Sequence, residues 1–105
     1  MKYRLQYSPE ALQDMDDAWE YIFMELCNPD AAARIVNMIM DTVDLLVEQP
    51  FIGASLNSVV DVESDYRFLV CESYLAFYRI EGSGIYIDRV LHETQDYMRV
   101  LFGKK

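Results

Sequence analysis

Residues 66–92 read YRFLVCESYLAFYRIEGSGIYIDRVLH. Three runs rich in Val, Ile, Leu, Tyr and Phe are separated by Glu72-Ser73 and by Glu81-Gly82-Ser83-Gly84. β-prone runs divided by short turn signals describe an antiparallel three-stranded meander. The same stretch carries Arg67, Arg79 and Arg89, with the chain's one histidine, His92, at its end. A sheet with these side chains on it is the expected platform for function.

Upstream of the meander, residues 51–65 (FIGASLNSVVDVESD) have small polar residues and no sustained period, so they read as a loop with a short extended piece at Ser58 to Val62. Before that loop, Asn28-Pro29-Asp30-Ala31 gives a capping side chain, a proline at the first helical position and an acid at the helix's positive end. Ile35, Ile39, Thr42 and Leu46, flanked by Val36, Met40, Val43 and Val47, give this helix a wide apolar stripe, and Gln49-Pro50 closes it. Ser8-Pro9-Glu10-Ala11 opens an earlier helix in the same way, with Leu12, Met15, Trp19, Ile22 and Leu26 as its stripe. Lys2 to Tyr7 alternates polar and apolar residues as a half-buried strand does. Downstream, Tyr97, Met98, Leu101 and Phe102 suit a short terminal helix or a last strand. The expected fold is α+β, one domain over residues 1–105. It has an antiparallel sheet of about four strands, the N-terminal strand plus the meander, with the helical hairpin on one face.

A chain of 105 residues, 52% hydrophobic, suits a single modest core. The net charge of −9 disfavours a broad nucleic-acid-binding face, which needs cations to displace counterions, so no direct DNA binding is expected. Residues 1–30 hold seven acids and two bases, so the acidity is concentrated in the first helix. Asp14, Asp16, Asp17 and Glu20 face different directions there and read as a solvated surface, not a metal site. Cys27 and Cys71 lack metal-type spacing and read as buried thiols. There is no glycine-rich phosphate loop and no Ser/His/Asp pattern, so neither cofactor nor metal is expected. No apolar run follows Lys2 and Arg4, and none elsewhere reaches membrane-spanning length, which makes the cytoplasm the expected compartment.

Taken in order, these pieces resemble the RelE/ParE superfamily of bacterial toxins from type II toxin-antitoxin modules. YSPEALQDMDDAWEYI resembles the family's opening strand and first helix, and NPDAAARIVNMIMDTVDLLVEQPFIG its second helix with the closing Pro and Gly. YRFLV, YLAFYRIE and IYIDRVLH resemble its sheet. The match is closer to the ParE and plasmid-stabilisation branch than to the RelE branch. It implies a toxin neutralised by a cognate antitoxin encoded beside it, whose extended segment wraps the toxin. ParE-like members poison DNA gyrase, whereas RelE-like members cleave messenger RNA on the ribosome.

RNA cleavage through the 2'-hydroxyl needs a proton acceptor, cations for the phosphorane and a proton donor for the leaving oxygen. If the chain is a ribonuclease, Arg67, His92 and Tyr97 are the candidates for catalysis. Arg67, Arg79 and Arg89 are the candidates for binding a target or partner. Each has a plainer reading: Arg67 pairing with Asp65 or Glu72, His92 as a hydrogen-bonded structural group, Arg79 and Arg89 covering the sheet with their stems. Tyr74, Tyr78 and Tyr86 serve either for stacking or for packing. Glu93 and Asp96 stand where the resemblance leads one to expect arginines or other basic groups. Gyrase-type protein binding is therefore the leading expectation. The alternatives are an endoribonuclease or a degenerate, non-toxic member that only binds antitoxin.

Overall fold

Both proline motifs begin helices in the computed structural model, which describes residues 3–61 and 63–103. Ser8 caps α1 (Pro9–Leu26), its Oγ accepting from Ala11 N at 2.9 Å, and Asn28 caps α2 (Pro29–Asp44), its Oδ1 accepting from the Asp30 and Ala31 amides. The two helices form the expected hairpin, turned at Cys27, whose φ of 50° is left-handed. That cysteine is exposed rather than buried. α2 stops earlier than the Gln49-Pro50 signal suggests, giving way at Leu45–Val47 to a 3-10 turn.

The hairpin lies on one face of a five-stranded sheet of order β1-β5-β4-β3-β2, with β1 at Arg4–Tyr7, β2 at Ala54–Ser55, β3 at Arg67–Cys71, β4 at Tyr74–Glu81 and β5 at Gly84–His92. Two features differ from an antiparallel sheet of about four strands. First, β1 runs parallel to β5, Arg4 opposite Gly84 through Tyr7 opposite Ile87. Parallel neighbours need a long crossover, and everything between β1 and β5 supplies it. Second, the extended piece expected at Ser58 to Val62 falls earlier, at Ala54–Ser55 opposite Arg67 and Phe68, and Leu56–Ser58 form a 3-10 turn. Val62, like Lys2 of the expected first strand, lies outside the described residues.

The core between hairpin and sheet also departs from the expected stripe on α1. Leu12, Trp19 and Leu26 are 55%, 39% and 59% exposed, while Ala11, Met15, Ala18 and Ile22 are buried. Alanines let the helix backbone approach the sheet closely, so packing turns α1 onto its small residues. Trp19 is left stacked on Phe23 along the flank, ring centroids 5.1 Å apart. From α2, Ile39 and Val43 enter the same core, followed by Leu46 from the 3-10 turn, and Met40 does not.

The opposite face of the sheet buries Phe77, Leu91 and Leu56. It is covered at one end by α3 (Tyr97–Phe102), so the terminal segment is a helix. Asp96 is its N-cap, accepting from Arg99 N at 3.3 Å, and Gly103 ends it in a left-handed conformation. An acid at position 96 thus has a local structural use.

One irregularity decides what faces the helices. Phe77 pairs with Arg89 while Tyr78 pairs with Ile87, so Asp88 is an extra residue, a β-bulge. Ile85 and Ile87 point to the helix side before it. Strict alternation would continue with Arg89 and Leu91. The bulge instead brings Val90 into that core and leaves Leu91 on the far face. His92 follows Val90 to the helix side, its ring centroid 5.2 Å from that of Tyr74.

Candidate functional site

Past the bulge, β5 has no strand on its outer side among the described residues, because its pairing with β1 ends at Tyr7 and Ile87. Ser8 closes that junction, donating through N–H to Ile87 O at 2.9 Å and through Oγ to Asp88 O at 2.7 Å. Beyond it α1 supplies Asp14, whose Oδ2 accepts from Val90 N at 2.9 Å and from Arg89 Nε at 2.8 Å, while Oδ1 accepts from Arg89 Nη2 at 2.8 Å. Asp14 is only 9% exposed. It belongs to the joint between α1 and the sheet, not to a solvated acidic face.

A cleft of about 290 Å³ opens beside this joint, lined by Asp14, Asp17, Ala18, Tyr21, Tyr74, Val90, His92, Thr94 and Gln95. A second, of about 230 Å³, shares Tyr21, Tyr74 and His92 with it and continues past Ile22, Leu26 and Ile35 to Glu72 and Ser73 at the β3–β4 turn. Together they form one groove at the end of the sheet. His92 is held in its wall, Nδ1 lying 2.8 Å from Thr94 Oγ1 and 3.2 Å from Thr94 N. Tyr74 packs edge-on to His92, and Tyr21 lies 6.3 Å from it. Burial, with a smaller contribution from Tyr21, raises the Tyr74 phenol above its ordinary pKa, so this ring stays neutral.

The candidate arginines are all engaged within the chain. Arg67 donates from Nε to Gly53 O at 3.1 Å and from Nη2 to Phe51 O at 3.2 Å, its guanidinium 5.3 Å from the centre of the Phe51 ring. It therefore fixes the loop after α2 rather than pairing with Asp65 or Glu72. Beside it, the buried Tyr78 donates to Pro50 O at 2.8 Å and accepts from Gly53 N at 3.0 Å, and so packs in the core and latches the same loop. Arg79 donates from Nε to Asp88 Oδ2 at 2.6 Å and pairs with Glu81, over the Tyr86 ring. The hydrogen bond to Asp88 raises its pKa despite burial. Tyr66 Oη also donates to Asp88, at 3.1 Å.

Tyr97 lies on the far face, its ring centroid 5.3 Å from that of Phe77, while His92 lines the groove on the helix face. Arg67 stands on β3, separated from β5 by β4. The fold does not gather Arg67, His92 and Tyr97 into one place. It gathers His92 with Tyr74, Tyr21 and Asp17, of which the last two were not candidates. Their signal was available as spacing, since Asp14, Asp17 and Tyr21 recur along one flank of a helix. Among the described residues no group of three or more His, Cys, Asp or Glu is disposed to hold a metal, and no helix is long and apolar enough to cross a membrane.

Comparison with known proteins agrees with this architecture. A search of curated proteins finds no match. Among solved structures, a chain of the chromosomal ParDE TA system from P. aeruginosa superposes with a TM-score of 0.72 at 26% identity, over 87% of this chain and 96% of that one. A chain of the toxin-antitoxin complex RelBE2 from Mycobacterium tuberculosis shares the fold, with a TM-score of 0.58 at 18% identity, over 88% of this chain and 99% of that one. The family model described as the ParE toxin of the type II toxin-antitoxin system, parDE, matches residues 5–97. The chain therefore belongs to the ParE toxin family of type II toxin-antitoxin systems.

Proposed function

We propose that this toxin acts by binding a protein target such as DNA gyrase, without cutting RNA, and that a cognate antitoxin silences it by covering the hairpin and the end of the sheet. The engagement of the three candidate arginines of the sheet carries this reading. Stabilising a phosphorane needs cations free to approach the scissile phosphate beside a proton-transferring group. Arg67, Arg79 and Arg89 are instead committed to backbone carbonyls, Asp88 and Asp14, and the groove around His92 is lined by carboxylates and rings. Exposed apolar side chains on the hairpin, Leu12, Trp19, Met24 and Leu26 among them, supply surface for protein contacts. Arg67 and Arg79, each partly exposed at the sheet, are the basic groups nearest to such use.

The test is inhibition of gyrase supercoiling by the purified chain, run beside mapping of transcript 5' ends after induction. Inhibited supercoiling, relieved by the protein encoded in the neighbouring reading frame, is the expected result. New 5' ends that vanish with His92→Ala would overturn the proposal in favour of ribonuclease action. Growth unaffected by soluble, folded protein would identify a non-toxic member.

A further inference from the structure

The groove at the end of the sheet carries more information than the presence of a partner. Among the described residues its lining includes Asp14, Asp17 and Glu72 and no lysine or arginine. Asp14 is held by the Arg89 guanidinium and by Val90 N–H, whereas the one hydrogen bond to Asp17 among the described residues comes from Gln13, Nε2 to Oδ1 at 2.9 Å, with the Arg89 charge felt at a distance. Tyr21, Tyr74 and His92 form the wall common to both clefts. A carboxylate with bonding capacity to spare, beside aromatic rings and above an Ala18 and Val90 floor, is complementary to a long side chain with an apolar stem and a cationic head.

We infer that the groove seats an arginine or lysine from the antitoxin's wrapping segment, with its head against Asp17 and the Tyr21 and Tyr74 rings. The inference rests on the antitoxin reading above and specifies the chemistry of that contact. A purely apolar anchor would strip water from Asp17 and give nothing in return. An acidic anchor would meet Asp17 and Glu72 and the field of a chain of net charge −9. The adjoining cleft, with Ile22, Leu26 and Ile35, takes an aliphatic neighbour of the basic residue. The antitoxin segment on this surface therefore combines a basic residue with aliphatic ones.

The probe is the full-length protein encoded in the neighbouring reading frame, titrated calorimetrically at about 0.15 M salt into wild type, Asp17→Lys, Tyr21→Ser and Asp16→Lys. Asp16 is exposed and follows a different direction from α1, so its substitution makes the same change in net charge away from the groove. Asp17 and Tyr21 are also exposed, and unchanged melting temperatures would show that each variant is folded. Asp17→Lys should weaken binding about tenfold or more, Tyr21→Ser by a few-fold, and Asp16→Lys less than about threefold. Replacing one particular Arg or Lys of the antitoxin by Ala should abolish most of the difference between wild type and Asp17→Lys. Tight binding in which Asp17→Lys costs no more than Asp16→Lys would overturn this inference and leave the antitoxin reading standing. No binding to wild type would overturn the antitoxin reading, and this inference with it.

Discussion

Asp14→Ala should be among the most damaging single changes outside the apolar core. The carboxylate takes two hydrogen bonds from Arg89 and one from Val90 N–H, so removing it undoes three contacts between α1 and β5. Val90 is buried, and its amide then lacks a partner at a cost of about 1–3 kcal/mol. The Arg89 side chain keeps 29% exposure and can be partly resolvated, which places the loss of the pair below the figure for a fully buried one, about 3–5 kcal/mol. The sum is about 2–4 kcal/mol, corresponding to a fall in melting temperature of roughly 10–25 °C for a domain of this size. Thermal unfolding followed by circular dichroism measures it. A cycle with Arg89→Ala should show a coupling of about 1.5–3 kcal/mol, the range for hydrogen bonds to charged groups. A loss under about 1 kcal/mol, or no coupling, would refute the argument that this pair joins the helix to the free edge of β5.

Tyr78→Phe should cost about 2–4 kcal/mol in urea unfolding, because Pro50 C=O and Gly53 N–H are buried and both lose their partner. Burial, with Asp44 adding to it, raises the Tyr7 phenol to about 12 from 10.0. Because the folded chain holds this proton up to about pH 12 while the unfolded chain releases it near 10, the native state loses stability as pH rises from 10 to about 12 relative to its value below pH 10. Tyr7→Phe should accordingly flatten that part of the alkaline unfolding curve. At neutral pH it should be neutral or slightly stabilising, since the Tyr7 hydroxyl is buried without a hydrogen-bond partner among the described residues. Glu72 occupies the two-residue β3–β4 turn with φ of 56°, a left-handed conformation that glycine adopts without strain. Glu72→Gly should therefore raise the urea midpoint by the equivalent of about 0.5–1 kcal/mol, with the slope unchanged.

Local chemistry determined the starts of the helices and the strands of the meander. Ser8-Pro9 and Asn28-Pro29 carry their own caps, and a run as rich in aromatic and aliphatic residues as YLAFYRIE suits a strand covered on both faces, where Ala76, Phe77 and Tyr78 are buried in succession. The order of these pieces was also enough to show the RelE/ParE resemblance. What the sequence could not determine is which of several competing faces or partners prevails. On α1, Leu12 and Trp19 look like better core residues than Ala11 and Ala18, yet close approach to the sheet selects the alanines. Asp14 looks like its acidic neighbours until Arg89, 75 residues away in sequence, comes within 2.8 Å. Arg67 reads as a target-binding cation or a partner of Asp65 or Glu72, and Arg79 as a target-binding cation or a cover for the sheet, until the fold brings Gly53 O and Asp88 to them. The Asp88 bulge exchanges the faces of every following side chain on β5, and through it His92 reaches the groove. These outcomes depend on register and on contacts between residues far apart in the chain, so tertiary structure alone decided them.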